Sequence, residues 1–378
     1  VGKDVSVEEL KDAYHAVVFC CGAETDRELD IPGENLPGSH AATAFVGWYN
    51  GHPDFLQHSF DLTQEQVVII GQGNVAADVC RILAKPVDDL RQTDIAEHAL
   101  QALAESRVRE IHIIGRRGPA QAKFTDKELR ELGEIPQAGV SLDPADLVLD
   151  PASAKEIEDP RGQTAAWNMA LLREFASRPL AQARRRIHFR FLESPVALYG
   201  GQNLDGVVLE KNRLEGPPFG QHALGTGVTA RLDCGLLFRS VGYKGLEMPG
   251  LPFDERRGII PNREGRVIKD GLPLTGMYCA GWIKRGPSGI IGTNRADAVE
   301  TANHLLTDIH TNASLPSKAG ASALLPMLAS RGLRCTSFED WLKIDAAEIA
   351  RGAEAGKPRE KFVRIKDMLD IVSHQAAA

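Results

Sequence analysis

Four β-branched residues, Val67-Val68-Ile69-Ile70, run directly into Gly71-Gln72-Gly73-Asn74-Val75-Ala76, and a second apolar run, Ile111-His112-Ile113-Ile114, runs into Gly115-Arg116-Arg117-Gly118. Val75, Val79, Ile82 and Leu83 follow the first turn at helical spacing, so strand, glycine turn, helix and second strand form a βαβ-like unit of a parallel sheet. That constrains the chain to the α/β class. A turn without side chains at positions 71 and 73 lets a backbone approach a pyrophosphate, and the helix behind it offers unpaired N–H groups. Where the second strand usually ends in an acid that takes a ribose 2′-hydroxyl, this chain has two guanidinium groups, the chemistry of a 2′-phosphate site. Gly71, Gly73, Arg116 and Arg117 are therefore read as lining a candidate NADP pocket. The glycine pattern alone is a weak signal, and the context of strand, helix and second strand strengthens it. The interval to the arginines exceeds the usual roughly twenty residues because Lys85 to Arg107 adds a polar excursion and more helix.

The chain has 378 residues, and a single core stops growing at about 250–300, so two domains or one large one are expected. A net charge of −7 argues against nucleic acid as a partner, which calls for a basic surplus. Six cysteines stand without CxxC spacing, so neither a zinc ribbon, nor any other metal site, nor a dithiol redox pair is indicated. They fit a reducing compartment, with Cys20-Cys21 expected as buried thiols in an apolar strand. No apolar stretch approaches the roughly eighteen residues of a membrane span. Val1 to Tyr14 reads like the middle of a domain, so further chain is expected upstream.

Along the chain, Ser6 with Glu9 is a capping box for a short helix, and Ala16 to Cys20 is a buried strand. Ala41 to Tyr49 reads as helix, as does Phe124 to Leu132 with Thr125 as N-cap and Glu128 in the capping position. Asp143 to Arg161 reads as an acidic surface excursion and Trp167 to Ala176 as an amphipathic helix. Ile187 to Leu192, Pro195 to Tyr199, Leu204 to Asn212 and Val228 to Asp233 alternate like the strands of an antiparallel meander. Gly235 to Tyr243 is one more buried strand, followed by a Pro/Gly-rich crossing at Met248 to Pro252 that reads as a domain boundary. Farther on, a Gly-rich stretch from Gly286 leads into a helix that Asn294 would cap.

Gly281-Trp282-Ile283-Lys284-Arg285-Gly286-Pro287-Ser288-Gly289-Ile290-Ile291-Gly292-Thr293-Asn294 closely resembles the signature of the adrenodoxin reductase family, the glutathione-reductase-like ferredoxin–NADP reductases. The glycine turn at Gly71, Thr93-Asp94-Ile95-Ala96, Gly115 to Pro119 and Phe45 to Asn50 match the same family in the same order, so the resemblance covers essentially the whole chain. It implies two Rossmann-like dinucleotide-binding domains, with an NADP domain inserted in an FAD domain: 1–26 and 248–378 for FAD, 27–247 for NADP. It further implies FAD and NADP as cofactors and a ferredoxin-type iron–sulfur protein as the electron acceptor. Residue by residue, it places NADP at Gln72 to Val75, Arg116, Arg117, Glu128 and Gly289, and the flavin against Trp282, Gly289, Ile290 and Ile291. Glu128 and Asp78 are the candidate catalytic residues, as groups that poise the nicotinamide or relay a proton. The family's N-terminal glycine fingerprint for the ADP half of FAD is absent before Val17, so the N-terminal part of the FAD domain is expected to be missing.

An acidic ferredoxin would want a basic landing surface, for which Arg184-Arg185-Arg186 with Arg190 is the densest candidate. Two further readings compete: an electron-input module like the small subunit of glutamate synthase, and a non-catalytic NADP-binding fragment. The expected location is cytoplasmic, or the mitochondrial matrix in a eukaryote.

Overall fold

The computed structural model describes residues 1–179, 183–289, 291–311 and 317–374. The chain folds as two compact units, Glu28–Val241 with Asp340–Ala378, and Val1–Arg27 with Gly242–Glu339. These divisions differ in place from the 26/27 and 247/248 boundaries read from sequence, and they group the last segment with the interior one.

In the larger unit a six-stranded, all-parallel sheet runs in the order Ser39–Ala41, Leu236–Arg239, Gln66–Ile70, Glu110–Ile114, Arg185–Arg190, Ala138–Ser141. Its four central strands end level, because Ile70 pairs with both Arg239 and Ile114, and Ile114 with Arg190. Their loops therefore emerge along one edge, where open α/β sheets bind ligands. Val67, Ile69, Ile111 and Ile113 pack under helices with Leu83, Phe124, Phe175 and Phe189, whereas Val68, Ile70 and Ile114 face a second core with Leu198, Val207 and Leu209. Burial on both faces is why these strands read as continuous apolar runs.

The second core is closed by an antiparallel meander of Glu193–Gly200, Leu204–Glu215 and His222–Asp233, as expected. The strand expected at Ile187 to Leu192 is not part of it. As Arg185–Arg190 it lies inside the parallel sheet, its alternation arising because the His188 face lies against Glu110 and His112 rather than under the helical core. The Ala138–Ser141 edge strand had no apolar run to announce it. The supposed surface excursion contains the helix Pro151–Glu158, with Ser153 and Glu156 buried. The closing helices are fastened by Lys357, whose buried ammonium donates to the Ile95 carbonyl (2.8 Å) and meets Glu360 (2.7 Å).

The smaller unit holds a sheet in the order Val17–Phe19, Leu272–Cys279, Arg266–Lys269, Asn262–Arg263, the first pair parallel and the others antiparallel. Phe19, Val267, Met277, Cys279 and Ile283 form its core. The Ser6/Glu9 capping box opens Val7–Ala13 as expected. Cys20 and Cys21 are exposed rather than buried, since the short strand before them buries only Phe19. Among the described residues no helix is long and apolar enough to cross a membrane.

Candidate functional site

The strand Gln66–Ile70 ends at Gly71, whose φ of +129° and neighbours admit no side chain: a Cβ would lie 2.0 Å from the Ser240 carbonyl oxygen. Gly73 differs. It is the N-cap of the helix Asn74–Ala84 with an ordinary extended backbone, and a Cβ there would meet nothing within 4 Å. The space over this helix start is open, and the first-turn N–H groups, which no helix can satisfy internally, face it with the positive end of the helix dipole. The side chains of the turn hold it in place. Gln72 Nε2 donates to the Arg190 carbonyl (3.0 Å), the Lys123 N–H donates to the Gln72 carbonyl (2.7 Å), and Asn74 Oδ1 accepts from the Thr125 N–H (2.9 Å). Val75 is half-buried in the first turn.

Gly115 begins the neighbouring turn, and the Gly71 N–H donates to the Ile114 carbonyl just before it (2.8 Å). A Cβ at Gly115 would lie 2.0 Å from the Gln72 side chain, so the two turns are packed against each other. The backbone of the arginine pair is fixed by Asn212 Nδ2 donating to the Arg116 carbonyl (2.8 Å) and the Leu192 N–H donating to the Arg117 carbonyl (3.1 Å). Arg116 is exposed and Arg117 half-buried. Burial and then the neighbouring Arg116 charge depress the Arg117 pKa, against a pull upward from Glu156. Among the described residues neither guanidinium has a carboxylate within ion-pair distance. Two adjacent positive charges without a carboxylate partner among the described residues, on a turn packed against an open helix N-terminus, are an arrangement able to take an anion.

Asp78 and Glu128 are brought together, but through Arg81. Its guanidinium pairs with Asp78 (2.6 Å), Glu128 (2.5 Å) and Glu131 (2.9 Å). The expected capping role of Glu128 is not observed: Thr125 stands at the N-cap of Asp126–Leu132 without a side-chain bond, and Glu128 turns to Arg81 instead. The charged partner outcompetes a backbone N–H for the carboxylate. Burial raises the Asp78 pKa, and the Glu128 and Glu131 charges add to this against Arg81.

In the smaller unit, Gly281 and Gly286 flank the one-turn helix Trp282–Arg285, and a Cβ on either would face open space. The turn is braced from behind by Asp297, which accepts from the Gly281 N–H (2.5 Å) and pairs with the buried Lys284 (2.9 Å). Trp282 stacks on Tyr243 at 5.8 Å, and its buried indole N–H has no hydrogen-bond partner among the described residues. Buried orphan donors are rare, and an acceptor brought by a ligand would satisfy this one. Gly289 has φ +80°, and a Cβ would strike Thr293 Oγ1. Ile290 lies outside the described residues, and Ile291 opens the helix Ile291–Thr311. Asn294 is therefore inside that helix rather than its cap, and its Oδ1 accepts from Arg285.

The basic run does not form one patch. Arg185 is buried, donating to the carbonyls of Val108 (3.2 Å), Ala84 (3.2 Å) and Lys85 (2.9 Å), and Arg190 is paired with Glu193 (2.6 Å). Only Arg184 and Arg186 stand exposed. Sequence reading missed a buried polar cluster of Gln121, Ser153, Glu156 and Gln221 beside the arginine turn. Ser153 and Glu156 share a helix face three residues apart, the one local hint that this acidic stretch points inward.

No protein-family model matches the chain. The human mitochondrial NADPH:adrenodoxin oxidoreductase is 45% identical over 387 residues, spanning 99% of this chain and 77% of that protein. NADPH-ferredoxin reductase FprA of Mycobacterium tuberculosis is 43% identical over 382 residues, with 98% and 81% covered. A solved structure of Mycobacterium tuberculosis FprA in complex with NADPH superposes with a TM-score of 0.90 at 42% identity, covering 98% of this chain and 82% of that one.

Proposed function

Because the chain belongs to the adrenodoxin reductase family of NADPH-dependent ferredoxin reductases, we propose that it works as a flavoprotein oxidoreductase that takes electrons from NADPH and delivers them to a ferredoxin-type iron–sulfur protein. The observation that carries this reading is the arginine pair without a carboxylate partner beside an open helix start. When bound, the flavin accepts a hydride from the reduced nicotinamide and passes single electrons onward.

The residues fit both groups. The open space at Gly73 admits a pyrophosphate, which the N–H groups of Gln72 to Val75 would hold, while Arg116 and Arg117 take the 2′-phosphate. The orphan indole N–H of Trp282 and the unfilled space at Gly281 and Gly286 fit a flavin ring, and the family resemblance adds Gly289, Ile290 and Ile291 to the residues that would meet it. Hydride transfer itself needs alignment and not an acid, so the chain contributes mainly position and electrostatics. Asp78 and Glu128 are assigned the secondary role of poising the nicotinamide or relaying a proton. The raised Asp78 pKa supports it, since this carboxyl keeps a proton more readily than a free one. Arg184 and Arg186 are the exposed part of the basic landing surface for an acidic ferredoxin. The mitochondrial relatives support a matrix location if the source is eukaryotic.

The test is the visible spectrum of the purified full-length protein. Flavin bands at about 380 and 450 nm are expected. Anaerobic NADPH should bleach them, and NADH should do so far less effectively. Equal bleaching by both coenzymes would remove the role given to the arginine pair, and a colourless protein would remove the flavin.

A further inference from the structure

Glu156 is 5% exposed, and the partners of its carboxylate are neutral. Its Oε1 accepts from the Phe219 N–H (2.6 Å) and its Oε2 from Gln121 Nε2 (3.1 Å). Gln121 Nε2 also lies 3.0 Å from Ser153 Oγ and 3.1 Å from Gln221 Oε1, so one amide with two protons faces three acceptors. Asp150 closes the cluster, accepting from Ser153 Oγ (2.5 Å) and Gln221 Nε2 (2.9 Å). The cluster is thus rich in acceptors and negative charge. Among the described residues, no cation lies within ion-pair distance of Glu156. A buried carboxylate without a cationic partner is expensive to keep, and a nearby positive charge short of ion-pair distance offsets part of that cost.

That group is at hand. Gln121 ends the short helical turn Pro119–Gln121, which starts two residues after Arg117. The bond from Gln121 to Glu156 therefore fixes the carboxylate relative to the arginine turn. Arg117 is half-buried beside a like charge, and Glu156 is the negative group that acts on it.

We propose that Glu156 is a positioning residue for coenzyme selectivity: its buried charge keeps the Arg117 guanidinium seated beside Arg116, poised for the 2′-phosphate. Without it, mutual repulsion and burial drive Arg117 outward to water, and each binding event must bring the pair back together. The inference rests on the reading that Arg116 and Arg117 hold the 2′-phosphate.

The test uses the full-length holoprotein and two probes that carry no hydride, adenosine 2′,5′-bisphosphate and adenosine 5′-monophosphate, titrated calorimetrically. Glu156→Gln should weaken the bisphosphate by about fivefold or more, the scale of one partly buried charge interaction, and leave the monophosphate as it was. Glu156→Asp, which keeps the charge, should restore most of the difference. Equal weakening of both probes, or unchanged bisphosphate affinity, overturns the proposal. Should Glu156→Gln fail to fold, Gln121→Met cuts the tether without altering a charge. It should lower the bisphosphate preference in the same direction, and an unchanged preference overturns the proposal. A wild-type protein that does not prefer the bisphosphate at all would sink the arginine reading itself, and Glu156 with it.

Discussion

Gly71 and Gly73 lie two residues apart in one turn, yet alanine should act on them in opposite ways. At Gly71 the added methyl carbon would lie 2.0 Å from the Ser240 carbonyl oxygen and 2.7 Å from its carbon, on a backbone with φ +129°. Main chain cannot swing aside as a side chain can, so strain and clash together cost about 3 kcal/mol or more. At Gly73 the methyl meets nothing within 4 Å, and φ is −126°. Alanine is a poorer N-cap than glycine by roughly 0.5–1 kcal/mol. It also recovers about 0.4–1 kcal/mol by narrowing the unfolded ensemble, so the net change in stability is close to zero.

Ligand binding should invert that order. The methyl at Gly73 occupies the space that a pyrophosphate needs to reach the helix N–H groups. Loss of one such charge-assisted bond is worth about 1.5–3 kcal/mol, or roughly ten- to a hundredfold in Kd. The assay is thermal unfolding of each variant followed by titration of the Gly73→Ala protein with NADP. Wild-type NADP affinity in Gly73→Ala would refute the placement of the phosphates at this helix start. Wild-type stability in Gly71→Ala would refute the steric argument for the turn.

Burial, then His188 and Arg190, lower the His112 pKa from 6.5 to about 3, so this ring stays neutral when folded. Its contribution to stability is therefore present above pH 6.5 and lost as pH falls toward about 3. His112→Phe should flatten the acid side of the stability profile, and urea midpoints at pH 7 and pH 5 that keep the wild-type difference would dismiss this. Arg185→Met should destabilise by roughly 3 kcal/mol, because three buried carbonyls lose their donor. Arg184→Glu with Arg186→Glu should leave the unfolding midpoint within about 0.5 kcal/mol of wild type while weakening ferredoxin reduction and its salt dependence. Unchanged ferredoxin kinetics would take these two residues out of the docking surface. Asp78 carries a raised pKa, so its contribution to stability is present below the ordinary value of 3.8 and is lost as pH rises through the folded value. Asp78→Asn should accordingly gain stability relative to wild type at pH 7 compared with acid, by little because the side chain is 42% exposed; a pH-independent difference would refute this sign.

What could be read from sequence was whatever the chain builds from neighbours in order. The central strands announced themselves because both their faces are covered, so Val67 to Ile70 is an unbroken apolar run and only His112 interrupts Ile111 to Ile114. Arg185–Arg190 alternates because His188 carries Glu110 and stacks on His112 while Ile187 and Phe189 pack into the helical core. Alternation is the mark of an antiparallel strand with one wet face, and here a half-exposed polar face within a parallel sheet imitates it. The edge strand Ala138–Ser141 is short and half-buried along its length, which leaves no periodicity to find.

The proposed anion site divides along the same line. Its gripping groups are adjacent in sequence, since a glycine turn and an arginine pair each act within a few residues, and both were visible there. Its supports are not adjacent: Lys123 and Arg190 steady Gln72, Thr125 binds Asn74, and Glu156 reaches the arginine turn through Gln121. Lys123, Arg190 and Thr125 act through backbone groups, which leave no mark in the residue types, and Glu156 is a residue type that normally faces water and that only the fold turns inward. Arg185 makes the converse point, because three arginines in a row look like one surface, yet strand alternation sends the middle one under the sheet. Charge in a strand has to be counted on every second residue, which removes Arg185, and the ion pair with Glu193 takes Arg190, so half of the basic run is gone before any docking argument begins.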